Sequence, residues 1–140
     1  MGGLTDPLTT LQGWLRARLP AGSRLEVVDE QWLDELAQSG QRVDLTWGIV
    51  VRSLRVSVSD LASARMVVSL SLLGVWSVRR DLTYIARSVR QVAQVARAIQ
   101  TTTWPPGVDV IEIPEELPYI DRAGITAVEI PVAAQVEMEV

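Results

Sequence analysis

Hydrophobic positions recur along the chain with two periods. Leu8, Leu11, Trp14, Leu15 and Leu19 stand three or four residues apart behind Asp6-Pro7, and Pro20-Ala21-Gly22 follows them. This spacing predicts an amphipathic helix over residues 7–19, capped by the aspartate and opened by proline. Arg16 and Arg18 near its end complement the helix dipole. A second helical stripe, Tyr84, Ile85, Val89, Val92, Val95, Ala96 and Ile99, starts after Asp81 and stops before Trp104-Pro105-Pro106-Gly107. It predicts a longer helix over residues 81–100.

Between and after these stripes the period falls to two. Residues 42–59 alternate imperfectly: Val43, Leu45 and Trp47 share one parity, and Leu54, Val56 and Val58 share the other. Gly48 stands where the parity flips and predicts a bulge or bend there. RMVVSLSLLGVWSV is the strongest internal strand, with Met66, Val68, Leu70, Leu72 and Trp76 on one face. A turn over Asp60–Ala64 joins the two as an antiparallel hairpin. Residues 24–28 and 108–113 read as short strands, and Gln31–Ser39 as either a short helix or a loop. The stretch 115–120 reads as irregular, and Asp121-Arg122-Ala123-Gly124 as a turn.

The closing stretch AVEIPVAAQVEMEV puts Val128, Ile130, Val132, Ala134, Val136, Met138 and Val140 on one face. Glu129, Pro131, Ala133, Gln135, Glu137 and Glu139 fall on the other. This strand is expected to pair within its own sheet and to leave its outer edge or acidic face for a neighbour. The whole reads as one α+β domain over residues 1–140, a mostly antiparallel mixed sheet covered by the two amphipathic helices.

Composition narrows the chemistry. The chain has 140 residues, 48% hydrophobic and 21% charged, which suits a folded core and argues against global disorder. Its net charge of −4 gives no sign of a general nucleic-acid or membrane binder. The N-terminus lacks a secretory pattern, and the apolar run from Val67 to Val75 is interrupted by Ser69, Ser71 and Gly74. It is too short to span a bilayer, so a soluble intracellular protein is expected.

Cysteine and histidine are both absent, and all 13 basic residues are arginine. Disulfides, thiolate metal sites and the commonest general base are thereby excluded. No phosphate-cradling glycine loop is present. Glu137 and Glu139 share a strand face and read as a solvated face rather than a catalytic pair. No catalytic residue, cofactor or metal is expected, and the chain is not read as an enzyme.

Charge distribution carries more. From Gln41 to Thr102 nine arginines face Asp44, Asp60 and Asp81, whereas after Thr102 only Arg122 faces eight acidic residues. The opposite charges either cancel within one subunit or let one subunit's acidic part meet the basic helix of the next. Arg87, Arg90 and Arg97 are the contact candidates on that helix. Glu129, Glu137 and Glu139 are the acidic ones, on an interface or a lumen. Of the five tryptophans, Trp32 and Trp47 are the candidates for a contact surface, with core packing as the other reading.

The helix LTDPLTTLQGWLRARLP, the hairpin ending in VVSLSLLGVWSV, the helix RDLTYIARSVRQVAQVARAIQ and the closing strand AGITAVEIPVAAQVEMEV carry a resemblance. In this arrangement the chain resembles the tail-terminator and tail-completion proteins of tailed bacteriophages and contractile injection machines. The resemblance covers most of the chain as an architecture; the family has no diagnostic motif, and Glu30–Gly40 departs from it. It implies a virion protein of the tail, assembled in the host cytoplasm. It would form a homo-oligomeric ring of six subunits that caps the tail tube and joins it to neck or connector proteins. DNA would pass through without specific binding, and no membrane would be involved. Another connector, neck or minor tail protein, or an adaptor domain, is the alternative. A small-ligand binder or carboxylate enzyme is the remaining one.

Overall fold

The structure, a computed structural model, describes residues 6–58 and 63–139, the last by its backbone alone. The expected turn over Asp60–Ala64 and the terminal Val140 lie wholly or partly outside the described residues. Helix α1 spans Pro7–Ala17. The Asp6 carboxylate accepts a hydrogen bond from the Leu8 amide at 3.0 Å, and Pro7 fills a position whose N–H has no helical partner. Helix α3 spans Leu82–Thr101, with the Asp81 carboxylate accepting from the Thr83 and Tyr84 amides. Helix α2 spans Trp32–Gln38 and resolves the ambiguous segment as helical. It has no side-chain cap, and at seven residues it is too short to stand on propensity. What holds it is Leu33, buried against Val43, Leu73, Val75 and Ile125.

Six strands form one mixed sheet: β1 Leu25–Val27, β2 Thr46–Val58, β3 Ser63–Ser77, β4 Val108–Glu112, β5 Tyr119–Arg122 and β6 Ile125–Glu139. Their order is β1-β2-β3-β6-β4, with β5 also on β6. Among the described residues only the β1–β2 pair is parallel. The closing strand is therefore central. β3 pairs with it from Ser63↔Glu139 to Ser77↔Ile125, while β5 and β4 take its other side at Ile125–Val128 and Ala133–Val136. The expectation that its outer edge is left for a neighbour is corrected by these pairings.

Side-chain parity divides the core in two. Met66, Val68, Leu70 and Leu72 of β3 and Ile130, Val132, Ala134 and Val136 of β6 join Leu11 and Leu15 of α1 and Val92, Val95 and Ile99 of α3. Each fully buried Val, Leu or Ile side chain there contributes about 1.5–3 kcal/mol. Leu73, Val75, Ile125 and Ala127 point the other way and meet α2. That second face is covered only at one end. Farther along, it presents Arg55, Arg65, Pro131, Gln135 and Glu137, all exposed or half-buried.

The break in β2 lies elsewhere than at Gly48. The register shifts between Val51 and Ser53, so Arg52 is the inserted residue. Gly48 is small for a different reason: a Cβ there would stand 2.9–3.0 Å from the Trp32 ring and Val28. The β5–β6 turn is Ala123-Gly124, with φ of 51° and 89°, the two-residue hairpin geometry that suits the twist of the strands.

Candidate assembly surface

The expected contact residues separate into buried and open ones. Trp47 is 3% exposed and packs in the main core, where its ring fills the space over Gly74, as the core-packing reading of this residue expects. Its parity on β2 places it under the helices, and only the register of the sheet decides that. Trp32, the first residue of α2, is half-buried with its ring over Gly48, at the rim of an open depression that Arg24, Glu26 and Thr46 also line.

Arg87, Arg90 and Arg97 are all exposed on α3. Arg87 lies over the Tyr84 ring at 5.7 Å from its centroid. Arg90 and Arg97 border a shallow groove with Glu115 and Leu117. No ion pair joins these three arginines to an acidic side chain among the described residues.

The acidic residues of β6 behave differently from one another. The Glu129 side chain is 15% exposed and pairs with Arg52 at 2.9 Å. Arg52 also reaches Glu30 at 3.2 Å and donates to the Ser71 hydroxyl at 3.2 Å. The bulge that inserts Arg52 thus turns it onto the open face, where it neutralises Glu129. Glu137 is exposed and lies 3.8 Å from Arg65, which lies at the same distance from Asp109. The Glu139 side chain lies outside the described residues. An acidic lining built on Glu129 and Glu137 is correspondingly reduced to charges of mixed sign.

Asp44 is held by Arg79, which also donates to the Val43 carbonyl and stacks over Tyr84 at 3.7 Å. The hydrogen bond from Arg79 is the main cause that keeps the Asp44 carboxyl below its ordinary range. This clamp fastens the strand entry at 43–45 to the start of α3.

The feature that the sequence did not single out is the edge of β2. β1 pairs only with Trp47–Ile49, and the Val28 amide adds one bond to the Ile49 carbonyl. Beyond that point no strand lies on this side of β2 among the described residues. Arg52–Val58 therefore presents backbone donors and acceptors along its edge that no strand pairs among the described residues. Its apolar side chains are open as well: Leu54 is 53% exposed, Val56 61% and Val58 73%. They face the same side as Val68, Met66 and Ala64, their partners on β3. An apolar groove of about 170 Å³ between α1 and β2, lined by Leu8, Leu11, Val27, Val51 and Leu54, continues this surface.

Native edges are usually blunted by proline, lysine or a cover. Here the sequence SLRVSV carries only Arg55, which has no ion-pair partner among the described residues. The alternation was visible in sequence, but a strand whose apolar face is buried and one whose apolar face is open at an edge read alike.

No group of His, Cys, Asp or Glu among the described residues is placed to hold a metal ion, and no helix among them is long and apolar enough to cross a membrane. No protein-family model and no curated protein sequence matches the chain.

Proposed function

We propose that this protein is a structural subunit that assembles with copies of itself into a closed ring, as a tail terminator or tail-completion component of a bacteriophage-type tail. The observation that carries the reading is the unpaired, apolar half of β2. Such an edge gains both backbone hydrogen bonds and apolar burial when another chain docks on it. A head-to-tail contact repeated by a closing rotation gives a finite ring. In this reading α1 and α3 cover one face of the sheet, and the exposed arginines Arg87, Arg90 and Arg97 of α3 offer a basic surface to tube or neck proteins. Six copies would cap the tube. The open face, where Arg52, Arg65, Glu129 and Glu137 alternate in sign, offers no continuous basic track to hold DNA in transit.

Light scattering and native mass spectrometry on the purified chain, with electron microscopy of tails carrying it, test this directly. The expected result is one closed oligomer, in solution or on the tube end. A chain that stays monomeric at its highest soluble concentration and is absent from tail ends refutes the reading.

A further inference from the structure

The open half of β2 needs a partner strand, and the chain has a second sheet edge able to supply one. β4 is outermost at the far side of the sheet. We propose that in the assembled ring the outer edge of β4 pairs with residues 53–56 of β2 in the next copy, so that the sheet continues from subunit to subunit. The inference rests on the ring reading and names the surfaces that build it.

Three observations support this occupant over others. The first is level. Glu112 lies beside Ala133, Ala133 beside Ser69, and Ser69 beside Ser53. Ile111 leads in the same way through Ala134 and Val68 to Leu54, and Val108 through Val136 and Met66 to Val56. β4 thus stands across the sheet at the height of the unpaired stretch of β2. Rotation about an axis along the strands keeps that height, so the next copy's β4 arrives opposite Ser53–Val56.

The second is direction and face. β2, β3, β6 and β4 alternate in direction, so β4 meets the neighbouring β2 antiparallel. A continuous sheet preserves its faces. Leu54 and Val56 then extend the row of Ile111 and Val108, while Ser53 and Arg55 share the open face with Glu112 and Val110. The third is charge. Arg55, without an ion-pair partner among the described residues, comes beside Glu112 and Asp109, both exposed, the latter 3.8 Å from Arg65 of its own subunit. A two-residue slip, which keeps every side chain on its face, puts Arg55 directly opposite Glu112. By contrast, two β2 edges meeting on a two-fold axis and centred at Arg55 would oppose two arginines, an unfavourable cross-strand pair, and would close at a dimer.

Cysteine cross-linking tests the pairing cleanly, because the chain has no cysteine of its own. Facing residues of an antiparallel pair lie about 4.5–5.5 Å apart at Cα, within the reach of a disulfide. Ser53 and Glu112 are exposed, so the double variant Ser53→Cys/Glu112→Cys is compatible with folding. Under mild oxidation it, or the slipped pair Arg55→Cys/Glu112→Cys, is expected to give a ladder of covalent oligomers, while each single variant gives none. Independently, Arg55→Glu is expected to weaken self-association about tenfold, and Glu112→Arg to restore it.

An oligomer that forms with neither cross-link overturns the edge pairing and leaves the ring reading intact. Ser53→Cys alone cross-linking to dimers also overturns it, in favour of two β2 edges meeting. A chain that remains monomeric alone and on tube ends overturns both readings.

Discussion

Gly74 lies three residues before the end of β3, with Trp47 and Val92 of α3 nearest to where a Cβ would stand. A Cβ at this position would stand 3.0 Å from a Val92 methyl and 3.2–3.3 Å from the Trp47 ring. Those neighbours are 1% and 3% exposed, so neither has solvent to move into. Gly74→Ala therefore forces α3 or the indole off its seat, a strain of about 1–3 kcal/mol. Alanine recovers about 0.5–1 kcal/mol of backbone entropy, which leaves a net loss of up to about 2.5 kcal/mol. For a domain of this size the loss is a fall of several degrees in Tm.

Gly13→Ala is the control. Gly13 sits in α1 with nothing within 4 Å of its Cβ position, so the same chemical change is expected to stabilise by about 0.5–1 kcal/mol. Combining Gly74→Ala with Val92→Ala isolates the clash. Val92→Ala loses its own burial, but it removes the methyl that the new Cβ strikes, so the double variant is expected to lose less than the sum of the singles. Urea denaturation of the four proteins measures the coupling. Strict additivity of Gly74→Ala and Val92→Ala would refute the packing of α3 against β3.

Asp81→Ala removes two capping hydrogen bonds from α3 and is expected to cost about 1 kcal/mol in thermal or urea unfolding. Ala123→Gly relieves a left-handed residue at φ 51° in the β5–β6 turn and is expected to raise stability by up to about 1 kcal/mol, read as a higher Tm. The Asp44 carboxyl is depressed in the folded state by its hydrogen bond from Arg79, so its stabilising contribution is present above the ordinary carboxylate range and is lost as pH falls through the folded value. Asp44→Asn is accordingly expected to flatten the acid limb of the stability–pH curve and to leave the neutral-to-alkaline slope unchanged; an unaltered acid limb would contradict this.

The two long helices, the long hairpin and the closing strand were legible because each carries many periodic positions. Asp6-Pro7 and Asp81 marked the two helix starts chemically. Helix α2 was not legible, since seven residues hold too few turns of pattern and its stability comes from Leu33 meeting β3 and β6. Gly48 was read as the site of a bulge because small size and parity change coincide there. The bulge falls at Arg52, and Gly48 answers to the Trp32 ring, a neighbour 16 positions away in the chain.

The candidate surface divides in the same way. Exposure of Arg87, Arg90 and Arg97 follows from their place between the apolar positions of one helix. The fates of Trp47, Glu129 and Val56 do not follow from any local pattern. Trp47 is buried because Gly74 of the neighbouring strand leaves room for it, and Glu129 is neutralised because a bulge in a strand two places away delivers Arg52. Val56 is open because β1 stops pairing at Ile49. Periodicity and capping are properties of consecutive residues, so the sequence by itself determined the two long helices, the three long strands and which of their faces are apolar, but neither α2 nor the four-residue β5, which reads as irregular chain and turn. Strand order, edge position and pairing level belong to residues far apart in the chain, and the tertiary structure alone decided them.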